Sequence, residues 1–383
     1  MALTAIRSEY DLMSNVFKKL HNDQDIDLRL IISGAHLSKN YGHTIQYIEQ
    51  DGLNILLKIE TLIDSDSQSS RIKTASILLQ NVIDITVMFK PDLIIYAGDR
   101  ENELIGAMLG MYLRIPTAHF FSGDHVKDGY IDNPVRHATS KLSSLHFVMT
   151  ASHKQRLVKM GERSDRIFIT GNPGLDKFVY EKQMDIKKIY KLLGLESTFA
   201  KRFALVIYHP DSDEHENYHS HFENILNALK KQNINAFVSY PNTDPGNKKI
   251  IDVIHHYINE DSFYFYKNLE RNLFINIFRN AQFIIGNSSA GILEAASIPI
   301  PAINVGIRQT GRKSQENVIF IDNDIDAISD GIEYVTSEQF LNKIGTIRNI
   351  YGNGESSNKI VNILKQINYN DFLLKKEDPL DVY

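Results

Sequence analysis

The stretch Phe283-Ile-Ile-Gly-Asn-Ser-Ser-Ala-Gly-Ile-Leu-Glu294 decides the fold. An apolar run ends in a small, hydroxyl-rich turn, and a helical pattern follows at once. That is one strand–turn–helix unit of an α/β sheet, with its turn at the carboxyl end of the strand. The N–H groups of Ser288, Ser289, Ala290 and Gly291 can converge there on an anion such as a diphosphate, and Glu294, about one turn on, can then meet a ribose diol. The alternative is that Ser288 or Ser289 only caps the helix, and the segment taken alone leaves both readings open. Downstream, Gly306-Ile-Arg-Gln-Thr-Gly-Arg312 follows the next strand and sets two guanidiniums, Arg308 and Arg312, in a loop suited to phosphate or to plain solvation.

Working outward, residues 203–208, 236–240, 263–266, 281–286 and 301–305 read as a series of strands, separated by helices such as 222–231 and 250–258. An earlier series covers 28–33, 92–97, 116–121, 145–150 and 166–170. Helix 71–89 carries Ile72, Ala75, Leu78, Leu79, Val82 and Ile83, close to the stripe of a helix buried on one face, with residues 64–70 as its entry loop. This rhythm predicts an α/β protein of two parallel-sheet domains in tandem, with ligand in a central cleft outside the strand ends. Gly171-Asn-Pro-Gly174 is the best punctuation between the two series. It predicts domains at 1–172 and 173–365, with a C-terminal tail, about 366–383, free to pack back on the first.

The 383 residues suit two domains. With 42 Lys plus Arg against 47 Asp plus Glu, the net charge of -5 gives no reason to expect nucleic acid or an anionic membrane as partner. The absence of cysteine excludes disulfides, thiolate metal sites and cysteine nucleophiles. The longest unbroken nonpolar run, 203–208, falls far short of the ~20 residues of a membrane span, and the first ten residues lack the pattern of a signal peptide, so a cytoplasmic protein is expected.

Further candidate residues sit at other strand ends. Asp99 and Arg100 close the strand before Glu101, where reacting groups gather in open sheets, although a plain N-cap at Asp99 is nearly as good a reading. The loop 122–132 brings Asp124, His125, Asp128 and Asp132 to the same edge, and carboxylates gathered in one cleft push their pKa values apart as acid and base roles require. A solvated acidic loop is the competing reading. His209 directly follows strand 203–208 and precedes Pro210. The segment His215-Glu-Asn-Tyr-His219 matches the HExxH pattern of zinc peptidases, but the stripe Phe222, Ile225, Leu226 and Leu229 extends back through it. These residues are therefore expected to start a helix packed on the sheet, with no metal.

Taken together, the segments Thr4-Ala-Ile-Arg-Ser-Glu-Tyr10, Gly98-Asp-Arg100, Arg136-His137, Lys141-Leu142, His146-Phe147, Gly171-Asn-Pro-Gly174, Tyr208-His-Pro210, Pro241-Asn242, Gly286-Asn-Ser-Ser289 and Arg308-Gln-Thr-Gly-Arg312 resemble, in order, those of the UDP-N-acetylglucosamine 2-epimerase family. The Tyr-His-Pro segment and the run from Ile131 to His137 resemble the hydrolysing branch. The resemblance implies the GT-B architecture, two Rossmann-like domains. It also implies a reaction: a base removes the C2 proton, UDP is eliminated, and water adds to the glycal to release N-acetylmannosamine. By analogy Asp99, Asp124 and Asp132 supply acid and base groups, and His209 acts with Ser288, Ser289 and Arg308 on the diphosphate. Arg7, Arg100 and Asn242 would flank the nucleotide, and Glu294 its ribose. No cofactor is implied; a UDP-sugar is the expected partner, and a homo-oligomer the expected assembly.

Two departures from the family pattern stand beside the sugar. Ser122-Gly-Asp-His125 replaces the usual Gly-Gly-Glu or Gly-Gly-Asp, which leaves open whether Asp124 or His125 takes the acidic position, and Asp132-Asn133 replaces an Asp-Asp pair. An altered loop points to an altered sugar, such as the UDP-linked 2,4-diacetamido-2,4,6-trideoxyglucose of legionaminic acid synthesis. The competing functions are a non-hydrolysing epimerase, which lacks support in the absence of a His-Arg-Arg-Glu-Asn segment, a GT-B glycosyltransferase, and a non-catalytic nucleotide-sugar binder.

Overall fold

The structure is a computed structural model that describes residues 1–65, 67–127, 130–195, 199, 202–210, 217–242 and 244–376, the side chain of Gln68 excepted. Its residues fall into two compact units. The first comprises Met1–His125, Ile131–Lys177 and the chain from Tyr351 onward; the second comprises Val126–Tyr130 and Phe178–Ile350.

The first unit holds a seven-stranded sheet in the order β3-β2-β1-β4-β5-β6-β7. Its strands are β1 (Ala2–Thr4), β2 (Leu30–Ile32), β3 (Ile55–Lys58), β4 (Ile94–Ala97), β5 (Thr117–Phe120), β6 (Leu145–Val148) and β7 (Ile167–Ile169). The second unit holds six strands in the order β10-β9-β8-β11-β12-β13. These are β8 (Phe203–Ile207), β9 (Asn235–Ser239), β10 (Phe263–Tyr266), β11 (Phe283–Gly286), β12 (Ala302–Val305) and β13 (Val318–Ile321). Every pairing is parallel. In each sheet the strand order reverses once, between β1 and β4 and between β8 and β11. At such a reversal the connections leave to opposite faces and a crevice opens beyond the strand ends.

Helices cover the sheets. In chain order they include α1 (Arg7–His21), α2 (Gln68–Phe89), α3 (Glu101–Leu113), α4 (Asp132–Leu142), α5 (Tyr218–Lys231), α6 (Asn247–Tyr257), α7 (Ala290–Leu293) and α8 (Ser356–Gln366). The expected stripe Phe222, Ile225, Leu226 and Leu229 on α5 is fully buried against β8 and β9, and each such side chain contributes about 1.5–3 kcal/mol. On the other face of that sheet Leu205, Phe237, Phe278 and Ile284 form a second core layer. His215 and Glu216 of the HExxH match lie outside the described residues, as does Asp128, whereas His219 stands in the first turn of α5.

Several expectations need correction. The strands β1, β3 and β13 do not stand out as apolar runs in the sequence; β1 spans three residues, and β3 and β13 are edge strands with half-exposed side chains. Leu78 and Val82 of α2 are buried as expected, but Ile72 is 72% and Ile83 38% exposed, so the apolar residues do not share one buried face. By length and composition Ser69–Phe89 is apolar enough to cross a membrane, which an unbroken-run criterion misses because polar residues interrupt it. The two units divide after Lys177, and the chain returns to the first at Tyr351. The reason is that α8 packs on α1 and Asp176 accepts hydrogen bonds from the N–H groups of Ser356 (3.1 Å) and Ser357 (2.7 Å).

Candidate active site

Each strand-order reversal carries a bonded cluster of polar side chains. In the first unit the turns after β1 and β4 are tied together through two buried carboxyls. Glu9, in the first turn of α1, accepts from the N–H of Ala5 at 2.9 Å, and Glu103 accepts from the N–H of Arg100 at 2.7 Å. The amide of Asn102 donates to both carboxyls. Burial pushes Glu9 up to about 7 and Glu103 well above the ordinary carboxyl range, where the charge of Glu9 raises it further. Gly98 has φ +128°, which lets the backbone turn out of β4, and the Nε2 of His119 on β5 sits 2.8 Å from its carbonyl. Burial lowers His119 to about 3, so the ring is neutral and donates there.

Asp99 follows that turn with its side chain 28% exposed, paired with the guanidinium of Arg136 from α4. Arg136 also donates to the carbonyl of Asp124 at 3.2 Å and to Oδ1 of Asn133 at 3.1 Å. Burial works against its charge, but Asp99, Asp124 and Asp132 around it prevail and hold its pKa above the ordinary value. The Asp124 carboxylate is buried, accepts the N–H of His125 at 2.9 Å, and lies 3.5 Å from Nε2 of His153. His125 instead stacks on His137, with 5.4 Å between ring centroids. Burial, with Arg136, His125 and Arg156 nearby, lowers His137 to about 4. Asp132 opens α4 and pairs at 3.5 Å with Arg71 from the first turn of α2, which also holds Glu101 at 2.7 Å.

In the second unit the reversal lies between β8 and β11, and one side chain spans it. Asn287 follows β11; its Oδ1 accepts the N–H of His209 at 2.8 Å, and its Nδ2 donates to the carbonyl of His209 at 2.9 Å. Gly286, at φ +139°, makes this approach possible, since a β-carbon there would lie 2.1 Å from the carbonyl oxygen of Ile207. The carbonyl of Asn287 accepts from Arg308 at 2.9 Å and from Gln309 at 3.0 Å. The ring of His209 accepts the N–H of Asn242 on Nδ1 at 3.2 Å, which assigns the ring proton to Nε2.

The predicted anion turn is smaller than expected. Helix α7 is one turn of four residues, the N–H of Ala290 goes to Oγ of Ser288 and that of Gly291 to the carbonyl of Ser288. Only the N–H groups of Ser288 and Ser289 donate to nothing among the described residues. Glu294 stands at the C-cap of that turn.

The structure therefore brings Asp99, Asp124 and Asp132 around Arg136, and joins His209 and Arg308 through Asn287, with the N–H of Asn242 on the ring of His209. Arg7 and Arg100 belong to the first unit; Arg7 pairs with Asp11 at 3.0 Å and lies 5.1 Å from the ring centre of Tyr47. Sequence reasoning assigns no role to Arg136, Asn287, Arg71 or the Glu9–Asn102–Glu103 cluster. The available signals were the resemblance, since both residues stand in its segments Arg136-His137 and Gly286-Asn-Ser-Ser289, and position, since Arg136 lies one helical turn after Asp132 and Asn287 directly precedes Ser288.

Residues 18–365 match the UDP-N-acetylglucosamine 2-epimerase family. The chain is 34% identical over 374 residues to the hydrolysing UDP-N,N'-diacetylbacillosamine 2-epimerase of Legionella pneumophila, covering 98% of this chain and 97% of that one. It is 30% identical to the hydrolysing GDP/UDP-N,N'-diacetylbacillosamine 2-epimerase of Campylobacter jejuni, over 97% of each. In fold it is similar to the UDP-GlcNAc 2-epimerase of Neisseria meningitidis, solved bound to UDP-GlcNAc, with a TM-score of 0.81 at 19% identity, covering 96% of this chain and 99% of that one. With a family match along most of its length and two relatives at 30% identity or above, the chain belongs to the UDP-N-acetylglucosamine 2-epimerase family.

Proposed function

We propose that the protein is a hydrolysing 2-epimerase acting on a UDP-linked 2-acetamido sugar, and that the sugar is N,N'-diacetylbacillosamine, the 2,4-diacetamido-2,4,6-trideoxy sugar. The observation that carries the reaction is the gathering of Asp99, Asp124 and Asp132 around one buried guanidinium, Arg136. The C2 hydrogen of such a sugar is a poor acid, so a base must be held rigidly against it. Arg136 supplies that rigidity. A carboxylate of this group takes the C2 proton, the C1–O bond breaks with its electron pair leaving on UDP, and a glycal remains. Water then adds its oxygen to C1 while a proton returns to C2 on the opposite face, which releases the free 2-epimer.

The leaving diphosphate gathers negative charge and needs positive charge and donors. In this reading the second unit supplies them: Nε2–H of His209, the N–H groups of Ser288 and Ser289, and Arg308. Glu294 receives the ribose, and Arg7, Arg100 and Asn242 flank the nucleotide. The choice of sugar is supported by the names of the two relatives at 34% and 30% identity. It is in keeping also with the Ser122-Gly-Asp-His125 loop, which departs from the Gly-Gly-Glu or Gly-Gly-Asp usual in the family pattern. The reading carries with it a cytoplasmic location, where the nucleotide sugar is a dissolved substrate.

The test offers the purified protein both UDP-sugars in heavy water and follows the products by NMR. Free 2-epimer with deuterium at C2, formed faster from the diacetamido substrate, supports the reading. Release of sugar with its original C2 hydrogen excludes elimination, and a preference for UDP-N-acetylglucosamine returns the substrate to the N-acetylmannosamine route.

A further inference from the structure

The turns after β1 and β4 meet at two carboxyls that the reaction as drawn does not use. Glu9 and Glu103 are each the third residue of their helix, α1 and α3, and each reaches back to the N–H that precedes it, Ile6 at 3.4 Å and Arg100 at 2.7 Å. Alone, either would be an ordinary capping glutamate, charged and favoured by the helix N-terminus. Three observations set the pair apart. Glu103 is fully buried and Glu9 only 7% exposed. A single amide, that of Asn102, donates to both, so each carboxyl stands in the field of the other. Neither forms an ion pair among the described residues.

Two neighbouring carboxylates cannot both keep their charge in a dry site without a cation between them. The bonds say where the proton goes. Both oxygens of Glu103 accept an N–H, and Oε2 of Glu9 accepts those of Ala5, Ile6 and Asn102. Oε1 of Glu9 is buried and bonded to nothing. A hydroxyl at that atom removes a bare charge and displaces none of these bonds. The groups facing the pair leave this balance as it is. Asp99 adds negative charge, Arg100 acts on Glu9 from beyond hydrogen-bond reach, and Arg136 from α4 is committed to Asp99. Burial keeps the phenol of Tyr96 on β4 and the rings of His36, beyond β2, and His119, on β5, neutral. We propose that Glu9 and Glu103 carry one proton between them in the active protein and are positioning residues for Asp99, the proton at Oε1 of Glu9 keeping the turns after β1 and β4 clipped together.

The inference rests on the reading of Asp99 as an acid–base group and adds a condition to it. Glu103 touches the chain on both sides of Asp99: it holds the N–H of Arg100, and a β-carbon on Gly98 would lie 3.7 Å from its carboxyl carbon. Loss of the proton leaves two like charges facing each other across Asn102, which pushes the turns apart and takes Asp99 out of line. Burial raises both carboxyls, Glu9 to about 7, so the folded protein binds this proton more tightly than the unfolded chain does. The stability it contributes is complete below the ordinary value of 4.5 and is lost as the pH rises through about 7.

In the wild type kcat should fall as the pH rises past about 7. Glu9→Gln sets an amide at the Oε1 position, keeps the three accepted bonds and has no proton to lose. It should move the alkaline fall of kcat up by about one pH unit or more, and flatten the loss of thermal stability between about pH 6 and 9. Glu9→Ala drops those bonds and should lower kcat about tenfold or more at every pH, with UDP affinity near wild type. Infrared spectra of the wild type should show a protonated carboxyl that titrates near pH 7 and is missing from Glu9→Gln. A folded Glu9→Gln whose alkaline fall coincides with that of the wild type overturns the proposal. So does a wild type without the carboxyl band, a measurement that needs no variant to fold. If the protein turns over no UDP-sugar, the functional reading fails instead, and the band and the unfolding profile still decide whether the pair holds its proton.

Discussion

The carboxylate of Asp99 is held by the guanidinium of Arg136, a side chain only 3% exposed that also binds the backbone of Asp124. One buried cation thus fixes two loops that leave different strands. Replacing it by lysine keeps the charge but loses the planar fork that reaches Asp99, Asp124 and Asn133 at once. Arg136→Lys should therefore lower kcat by ~100-fold, close to the effect of Asp99→Asn, with UDP affinity near wild type. Turnover measured beside calorimetric UDP binding checks this; a loss confined to UDP affinity would place Arg136 in nucleotide binding instead.

A second prediction concerns the N–H of Ser289. Its φ of -60° is one that proline adopts, so Ser289→Pro removes a donor with little change in the turn. If that N–H meets the diphosphate, UDP affinity should fall about tenfold, the scale of one charge-assisted hydrogen bond. Unchanged affinity in a folded variant would remove the turn from the nucleotide site.

Glu162 gives a pH prediction. Burial alone would raise its pKa, but His146 at 3.0 Å, Lys375 at 2.6 Å and Lys141 at 2.7 Å outweigh that and hold it at about 2. A carboxyl depressed in the folded state contributes stability that is complete above its unfolded pKa of about 4.5 and is lost as the pH falls toward 2. Thermal unfolding between pH 5 and 2 should show a steeper loss for the wild type than for Glu162→Gln. Parallel curves would mean the ion-pair cluster adds no net stability; burial does hold the partner Lys375 down, at about 8.

Activity should survive exhaustive chelation, because elimination and hydration as drawn use only side chains, N–H groups and water. Loss with EDTA and recovery on adding zinc or magnesium would require a metal-assisted departure of UDP.

What the sequence revealed and what it hid follow one physical line. β8 and β11 were legible because each is an apolar run stopped by a turn, and His209 and Ser288 were legible as the residues just past those stops. The period of α2 was legible, but its buried side was not, since apolar residues occupy both sides and period alone does not say which meets the sheet. Arg136 and Asn287 acquire their roles only when loops from separate strands meet, and no local pattern encodes that meeting. The N–H groups of Ala290 and Gly291 are expected to be open as those of a helix start, but they turn back onto the side chain and carbonyl of Ser288.

The return of the chain at Tyr351 has a consequence for synthesis. The carbonyl of Tyr351 accepts the N–H of Asn172 at 2.7 Å, Ser356 and Ser357 cap onto Asp176, and Arg166 donates to the carbonyls of Phe372 and Leu374. On the ribosome the amino-terminal unit emerges first but finds these partners last, about 180 residues later. Domains generally fold as they emerge, from the N-terminus onward, and contacts of such sequence separation are slow to form. The nascent first unit must therefore wait, with the α1 surface that α8 will cover still open to solvent, until the chain has been translated past Gln366. That interval is when this protein is most exposed to aggregation and most in need of a chaperone.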